Sequence, residues 1–113
     1  MHEAARAQSV VEIVDELARR ERFAKVRTIR LEVGALSHVV PEALEVGLEV
    51  ATKGTVADGA AIVFDRPAGT AYCTRCAKGV TVASRAEPCP ECGQHEWVLV
   101  GGDELRVVDL EVE

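Results

Sequence analysis

The sequence predicts an α+β protein in which a small mixed three-stranded sheet packs against two helices and a cysteine-rich module is inserted before the last strand. Three observations support this fold class. Apolar residues recur at helical spacing in two segments, they alternate in three others, and the composition changes between about Gly69 and Gly102. Hydrophobic residues make up 48% of the 113 residues and aromatic residues only 4%, so we expect an aliphatic core.

The first helix is predicted from the segment "AQSVVEIVDELARRERF". Its apolar residues are spaced by three and four positions, which places them on one face of a helix. These residues are Val10, Ile13, Val14 and Leu17. We expect the helix to begin near Glu3 or Ala4, so that His2 and Glu3 lie at its start.

A strand, a second helix and a second strand should follow. In "VRTIRLEVG" the apolar residues alternate with charged ones, and we expect the apolar set to be buried. This set is Ile29, Leu31 and Val33. The segment "VPEALEVGLEVATKGT" has Pro41 where the first turn of a helix tolerates it, and Gly54 lies where the chain leaves the helix. "AAIVFDRP" then predicts a strand, and a right-handed crossover would place the two strands side by side and parallel.

The chain from Gly69 to Gly102 is rich in Cys, Gly and Pro and contains two short strand-like pieces, "GVTVAS" and "HEWVLV". The last segment, "ELRVVDLEVE", predicts a further strand, with a bulge near Val107 and Val108 where the alternation changes phase. We therefore expect one domain from residues 1–68 and 103–113, and an inserted domain from residues 69–102.

The inserted segment "YCTRCAKGVTVASRAEPCPECGQH" contains two C-x-x-C pairs separated by twelve residues. Two residues between cysteines allow a tight turn to direct both sulfurs at one ion, and two such turns form a tetrahedral site. The predicted ligands are Cys73, Cys76, Cys89 and Cys92. A structural Zn(II) is expected, because all four positions are thiolates and none is open to substrate. Iron in a rubredoxin-like site is the alternative metal, and a thioredoxin-type dithiol is less favoured.

Composition excludes several classes of function. The formal charge of −6 disfavours binding to nucleic acid, and no apolar run approaches the ~20 residues that a membrane helix needs. The N-terminus lacks the apolar region of a secretory signal, so we expect a cytoplasmic protein with reduced thiols. No nucleophile and base pattern or phosphate-binding loop predicts an enzyme.

The N-terminal residues offer nitrogen donors to a metal ion. The Met1 amine, the His2 amide nitrogen and the His2 imidazole can close fused chelate rings, and Glu3 can add an oxygen. Nitrogen-rich tetragonal sites suit Ni(II) and Cu(II). The alternative is that His2 is an ordinary solvated side chain.

Six short motifs, in this order, resemble the HypA/HybF family over essentially the whole chain: "MHE", "LEVGALS", "PEAL", "TKGT", "CPECG" and "GGDEL". The family's members are nickel-insertion accessory proteins of NiFe hydrogenase. The resemblance implies a small cytoplasmic metallochaperone that carries Ni(II) at its N-terminus and a structural Zn(II) in the cysteine module. It also implies the GTPase HypB and the hydrogenase large subunit as partners. The returning C-terminal strand permits domain swapping, so the protein is expected to be a monomer or a homodimer.

Carried over by position, the resemblance makes His2 the principal nickel ligand, with Glu3 beside it, and the four cysteines the zinc ligands. Some relatives have an acidic residue in the loop after the first strand where this chain has Val40. His38, close to that position, is an auxiliary ligand or a solvated loop residue. His95, beside the last cysteine pair, is an auxiliary ligand or a surface residue.

The competing hypothesis is a zinc-ribbon module that binds protein or nucleic acid and has no role in nickel delivery. Arg75, Lys78 and Arg85 would supply its positive charge, and Tyr72 and Trp97 would stack on bases.

Overall fold

The structure is a computed structural model that describes residues 2–113. It contains two helices and two three-stranded sheets, with strand orders β2-β1-β6 and β4-β3-β5, and so confirms the α+β class. The elements are α1 (His2–Glu21), β1 (Val26–Val33), α2 (Pro41–Ala51), β2 (Ala61–Asp65), β3 (Gly69–Cys73), β4 (Lys78–Val82), β5 (Trp97–Gly101) and β6 (Leu105–Val112).

The chain divides into two compact units. The helical unit comprises Met1–Leu31, Val39–Phe64 and Arg106–Glu113, and the cysteine unit comprises Glu32–His38 and Asp65–Leu105. The cysteine unit therefore contains the predicted insertion, residues 69–102, together with a few residues on either side and the loop after β1. That residues 1–68 with 103–113 and residues 69–102 are separate domains stays a prediction.

The buried face of α1 differs from the predicted stripe. Val10 and Val14 are buried as expected, but Ile13 is 48% exposed, so its assignment to the core was wrong. The face that packs inward also contains Ala7, Val11 and Ala18. Small residues serve there because α1 approaches α2 closely: a Cβ on Gly47 would lie only 3.2 Å from the Ala7 Cβ. The structure gives α1 from His2, one residue before Glu3 and two before Ala4, the two expected starts.

The strand and helix that follow α1 match the sequence prediction closely. The three apolar residues of β1 that were predicted to be buried are fully buried, and so are Leu44 and Leu48 of α2. Thr52 ends α2, and its hydroxyl donates to the Leu48 carbonyl at 2.6 Å. Arg30 pairs with Asp109, and Thr28 donates to Glu111 at 3.4 Å. As the chain advances along β1 from Thr28 to Arg30, the partner on β6 moves back from Glu111 to Asp109. The strand β6 is therefore antiparallel to β1.

The sheet of the cysteine unit is antiparallel, with β3 between β4 and β5. A small core of Leu36, Ala71 and Val82 supports it. Gly102 has a φ of +88°, and a Cβ there would lie 2.4 Å from the Ala68 carbonyl oxygen, so only glycine fits this position. Neither of the two helices in residues 2–113 has the length and apolar character needed to cross a membrane.

Candidate metal centre

The four cysteines converge in the cysteine unit, as predicted. Cys73 ends β3 and Cys76 lies in the turn before β4, whereas Cys89 and Cys92 lie in the loop between β4 and β5. Their sulfur atoms all lie within 4.8 Å of one another. The Sγ atoms of Cys73 and Cys92 are 3.8 Å apart, and those of Cys76 and Cys89 are 3.9 Å apart.

These distances fit a tetrahedral zinc site. With Zn–S bonds of about 2.3 Å, the edge of a sulfur tetrahedron is about 3.8 Å long. The four thiols form no disulfide, and two of them, Cys73 and Cys89, are buried. A set of four thiols that leaves no coordination position open is typical of a structural site rather than a catalytic one.

The two cysteine turns share one backbone design. The amide of Ala77 donates to the Cys73 carbonyl at 2.8 Å, and the amide of Gly93 donates to the Cys89 carbonyl at 2.9 Å. In both turns the residue after the second cysteine has a positive φ, +55° at Ala77 and +75° at Gly93. Glycine adopts this conformation readily at position 93, whereas Ala77 adopts it although it has a side chain.

Backbone amides and burial set the protonation of the thiols in opposite directions. The amide of Cys92 donates to the Cys89 sulfur and, against the effect of burial, lowers the pKa of Cys89 to about 7. Burial, followed by the neighbouring thiols, raises the pKa of Cys76 to about 12. Four thiolates within 4.8 Å repel one another, so this donor set requires a cation at its centre to be fully ionised.

Cations of the cysteine unit that could contact nucleic acid are already paired with carboxylates. Glu91 raises the pKa of Lys78, and Lys78 lowers that of Glu91, because the two groups form a close ion pair. The three cations proposed for such binding all have an acidic partner. The pairs are Arg75–Glu96 at 4.0 Å, Lys78–Glu91, and Arg85–Asp103 at 3.9 Å.

His95 is exposed but held in place. Its Nε2 lies 2.8 Å from the Arg85 carbonyl oxygen, and its ring centroid is 4.9 Å from that of Trp97. A carbonyl only accepts, so Nε2 carries the proton and Nδ1 is available as an acceptor or metal ligand. Trp97 is half-buried, and its Nε1 donates to the Glu87 carbonyl at 2.9 Å.

The candidate nickel residues lie in the first turn of α1. His2 is exposed, whereas Glu3 is half-buried and pairs with Arg6 at 3.4 Å. This pair was not predicted, although a three-residue spacing of opposite charges on a helix is the usual signal for one. The predicted ligand at the Met1 amine lies outside the described residues.

Among residues 2–113, the four cysteines are the one group of three or more His, Cys, Asp or Glu side chains that could bind a metal ion together. Of the other predicted ligands, His2 and Glu3 belong to the helical unit, and His38 and His95 belong to the cysteine unit. His38 is an exposed loop residue with a φ of +62°, and Val40 is exposed at the N-terminal cap of α2.

Comparison with known proteins supports a nickel-handling family. A family model described as hydrogenase/urease nickel incorporation, metallochaperone, hypA matches residues 1–112. Hydrogenase maturation factor HypA 2 of Bradyrhizobium diazoefficiens is 46% identical over 113 residues, covering all of both chains. Hydrogenase maturation factor HypA of Rhizobium leguminosarum bv. viciae is 45% identical over 112 residues, covering 99% of each chain.

Two solved structures have a similar fold. The solution structure of the Ni metallochaperone HypA from Helicobacter pylori aligns with a TM-score of 0.72 at 17% identity, covering 97% of this chain and 96% of that one. A solution structure of HypA protein aligns with a TM-score of 0.75 at 18% identity, covering 100% and 97% of the two chains.

Proposed function

Because this chain belongs to the HypA family of nickel metallochaperones for hydrogenase maturation, we propose that it binds Ni(II) at its N-terminus and delivers it to the hydrogenase large subunit. Members of such a family carry a metal and are not catalytic enzymes. We also propose that Cys73, Cys76, Cys89 and Cys92 hold a structural Zn(II). The GTPase HypB is the proposed partner in delivery, the cytoplasm the proposed location, and a monomer or homodimer the proposed state.

The position of His2 carries this proposal. Its imidazole is exposed, and its backbone amide belongs to the first turn of α1. The first amides of a helix have no carbonyl acceptor within the helix. A nickel ion can therefore displace the amide proton without breaking a helical hydrogen bond. Together with the Met1 amine, this amide and the imidazole supply three nitrogen donors, and Glu3 supplies an oxygen.

An exposed terminal site also suits release of the ion. Ligands at a chain end can leave the ion one at a time while an acceptor protein supplies replacements. Nitrogen and carboxylate donors select Ni(II) here, whereas four soft thiolates select Zn(II) in the cysteine unit, so the two metals are kept apart by ligand type.

Additional nickel ligands are needed if the ion is to be enclosed during transport. His95 is the stronger candidate, since its Nε2 is committed to the Arg85 carbonyl and its Nδ1 is left for a metal. His38 is the weaker candidate, because it is an exposed loop residue for which no orienting contact supports a role as ligand.

The direct test is a nickel titration of untagged protein with its native N-terminus, comparing wild type with His2→Ala. Gln8→Ala is the control, because it removes an exposed polar side chain elsewhere on α1 that is not a proposed ligand. We expect all three proteins to retain one zinc per chain and the control to retain one nickel. His2→Ala should bind nickel at least ~100-fold more weakly, since loss of even an outer-shell partner costs 10–100-fold. Unchanged nickel affinity in His2→Ala would contradict the proposed site.

The second candidate function is a zinc-ribbon interaction module without nickel. It predicts zinc alone in both wild type and His2→Ala. If the module binds nucleic acid, its affinity for nucleic acid should fall steeply as the salt concentration rises. The pairing of Arg75, Lys78 and Arg85 with carboxylates argues against that form.

A further inference from the structure

We propose that the outer face of α2 docks a basic, amphipathic surface of the protein that exchanges nickel with the N-terminus. This inference rests on the proposed function, and it adds an interaction surface and the chemistry of the partner. The outer face is defined by two stripes along the helix, an apolar one and an acidic one. The residues are Ala43, Val46 and Val50 in the apolar stripe and Glu42, Glu45 and Glu49 in the acidic stripe.

The apolar stripe is exposed without an internal partner. Val46 is 61% and Val50 is 66% exposed, and the four-residue spacing makes them neighbours on the helix surface. Ala43 lies one turn before Val46 on the same side. The opposite side of α2 supplies the core through the fully buried Leu44 and Leu48, so the two valines lie outside the core.

The acidic stripe lies directly beside the apolar one. Glu42, Glu45 and Glu49 are exposed and form no ion pair with any residue that the structure describes. Like charges at this spacing destabilise a helix, and a carboxylate in the last turn, such as Glu49, is also unfavourable toward the helix dipole. On α1, by contrast, Glu3 and Glu16 each have an arginine three residues away.

A cleft extends the acidic stripe at the C-terminal end of α2. It has a volume of about 310 Å³ and apolar walls that include Leu48 and Ile62, with the carboxylates of Glu49 and Asp58 at its lining. Asp58 accepts one hydrogen bond, from the Gly54 amide at 3.0 Å. Apolar walls beside carboxylates suit a side chain with an aliphatic stem and a cationic end. Arginine and lysine side chains have this structure.

The location of this face connects it to nickel exchange. A Cβ on Gly47 would lie 3.2 Å from the Glu3 carbonyl oxygen, so this side of α2 packs against the first turn of α1. At about 100° per residue, the apolar stripe lies between Gly47 and the acidic stripe on the surface of α2. The apolar stripe is therefore the one nearer to α1. A partner seated on Val46 and Val50 would therefore lie beside His2.

Charge decides the kind of occupant. A second copy of this chain would oppose three carboxylates to three carboxylates, in a protein whose net charge is −6. A partner with lysine or arginine beside apolar residues would instead pair with the acidic stripe and cover the valines.

The test measures binding of the zinc-loaded full chain to purified HypB and to the purified hydrogenase large-subunit precursor, each at about 50 mM and about 500 mM salt. The variants are Glu45→Lys/Glu49→Lys and Val46→Ser/Val50→Ser. Glu12→Lys/Glu113→Lys is the control, because it makes the same change in net charge at exposed sites away from α2. Nickel titration and gel filtration of each protein run in parallel.

The proposal predicts that the α2 charge reversal weakens binding to at least one partner by about tenfold at low salt, with a smaller effect at high salt. The serine variant should weaken binding at both salt concentrations, and the control should stay within about twofold of wild type. Failure of wild type to bind either protein, equal effects in the control, or self-association through the α2 face would each overturn it. Docking without nickel binding would refute the proposed function and leave the docking surface intact.

Discussion

The four-cysteine site and the proposed N-terminal nickel site are built in contrasting ways. The cysteine site takes its four sulfurs from two backbone turns of one design, and two of the sulfurs are buried. The N-terminal site has an exposed His2 in a single helical turn, and its one carboxylate, Glu3, is paired with Arg6. The first geometry is suited to keeping an ion and the second to exchanging one. A carrier needs both properties and can have them only if the sites differ in donor type and enclosure.

The largest expected effect comes from breaking the enclosed site with Cys73→Ser. We expect loss of stoichiometric zinc and unfolding of the cysteine unit, because structural zinc contributes on the order of 10–16 kcal/mol in small modules. The helical unit should survive, since both helices belong to it. The two units can be followed separately: Trp97, the single tryptophan, reports on the cysteine unit, and far-UV circular dichroism reports on the helices.

Thr81→Ser is the control for this variant, because Thr81 is exposed in the same unit and is not a cysteine ligand. It should retain one zinc and a wild-type fluorescence transition. If Cys73→Ser kept full zinc occupancy and an unchanged Trp97 transition, the four-cysteine site would not be what stabilises this unit.

An intermediate effect is expected at the exchangeable site, where Glu3 is shared between Arg6 and the proposed ion. Glu3→Gln should weaken nickel binding, because an amide oxygen is a poorer ligand than a carboxylate. Arg6→Gln should strengthen it, because the carboxylate no longer has to leave an ion pair at 3.4 Å. Since Arg6 is partly exposed, its effect should correspond to at most about 1 kcal/mol, or roughly fivefold in Kd.

Calorimetric nickel titrations of both single variants and of the double variant measure this coupling. Arg19→Gln is the matched control, because it removes the equivalent cation from the exposed Glu16–Arg19 pair on the same helix. Equal nickel affinities in wild type, Glu3→Gln, Arg6→Gln and the double variant would mean that the Glu3 side chain takes no part in binding.

The cysteine site could be predicted from the sequence because its determinants are local. Each C-x-x-C pair brings two sulfurs together through one turn, so ligand identity follows from spacing alone. The same holds for Ile29, Leu31 and Val33 of β1, whose alternation matches the period of a strand with one buried face.

Features that depend on contacts distant in sequence were missed or misassigned. β3 has the short sequence "GTAYC", which lacks a clear alternation, and it is a strand because β4 and β5 pair with both of its edges. Ile13 was assigned to the core because it has helical spacing. Its exposure follows from the close packing of α1 on α2, which brings Ala7 inward instead.

The smallest expected effect compares the two cysteine turns with each other. Gly93→Ala should destabilise the zinc-loaded cysteine unit by about 1–2 kcal/mol, because a positive φ is strained in any L-residue with a side chain. Its new methyl group would meet nothing within 4 Å, so the backbone alone sets the cost. Ala77→Gly should stabilise the unit by up to about 1 kcal/mol, since the relieved strain is partly offset by the greater flexibility of glycine in the unfolded chain.

Gly79→Ala, at a position without a positive φ, is the control and should not destabilise the cysteine unit. Denaturant titrations followed by Trp97 fluorescence at saturating zinc measure all three, and equal stability of the Gly93 and Ala77 variants would mean that the turns do not share the strain their φ values indicate.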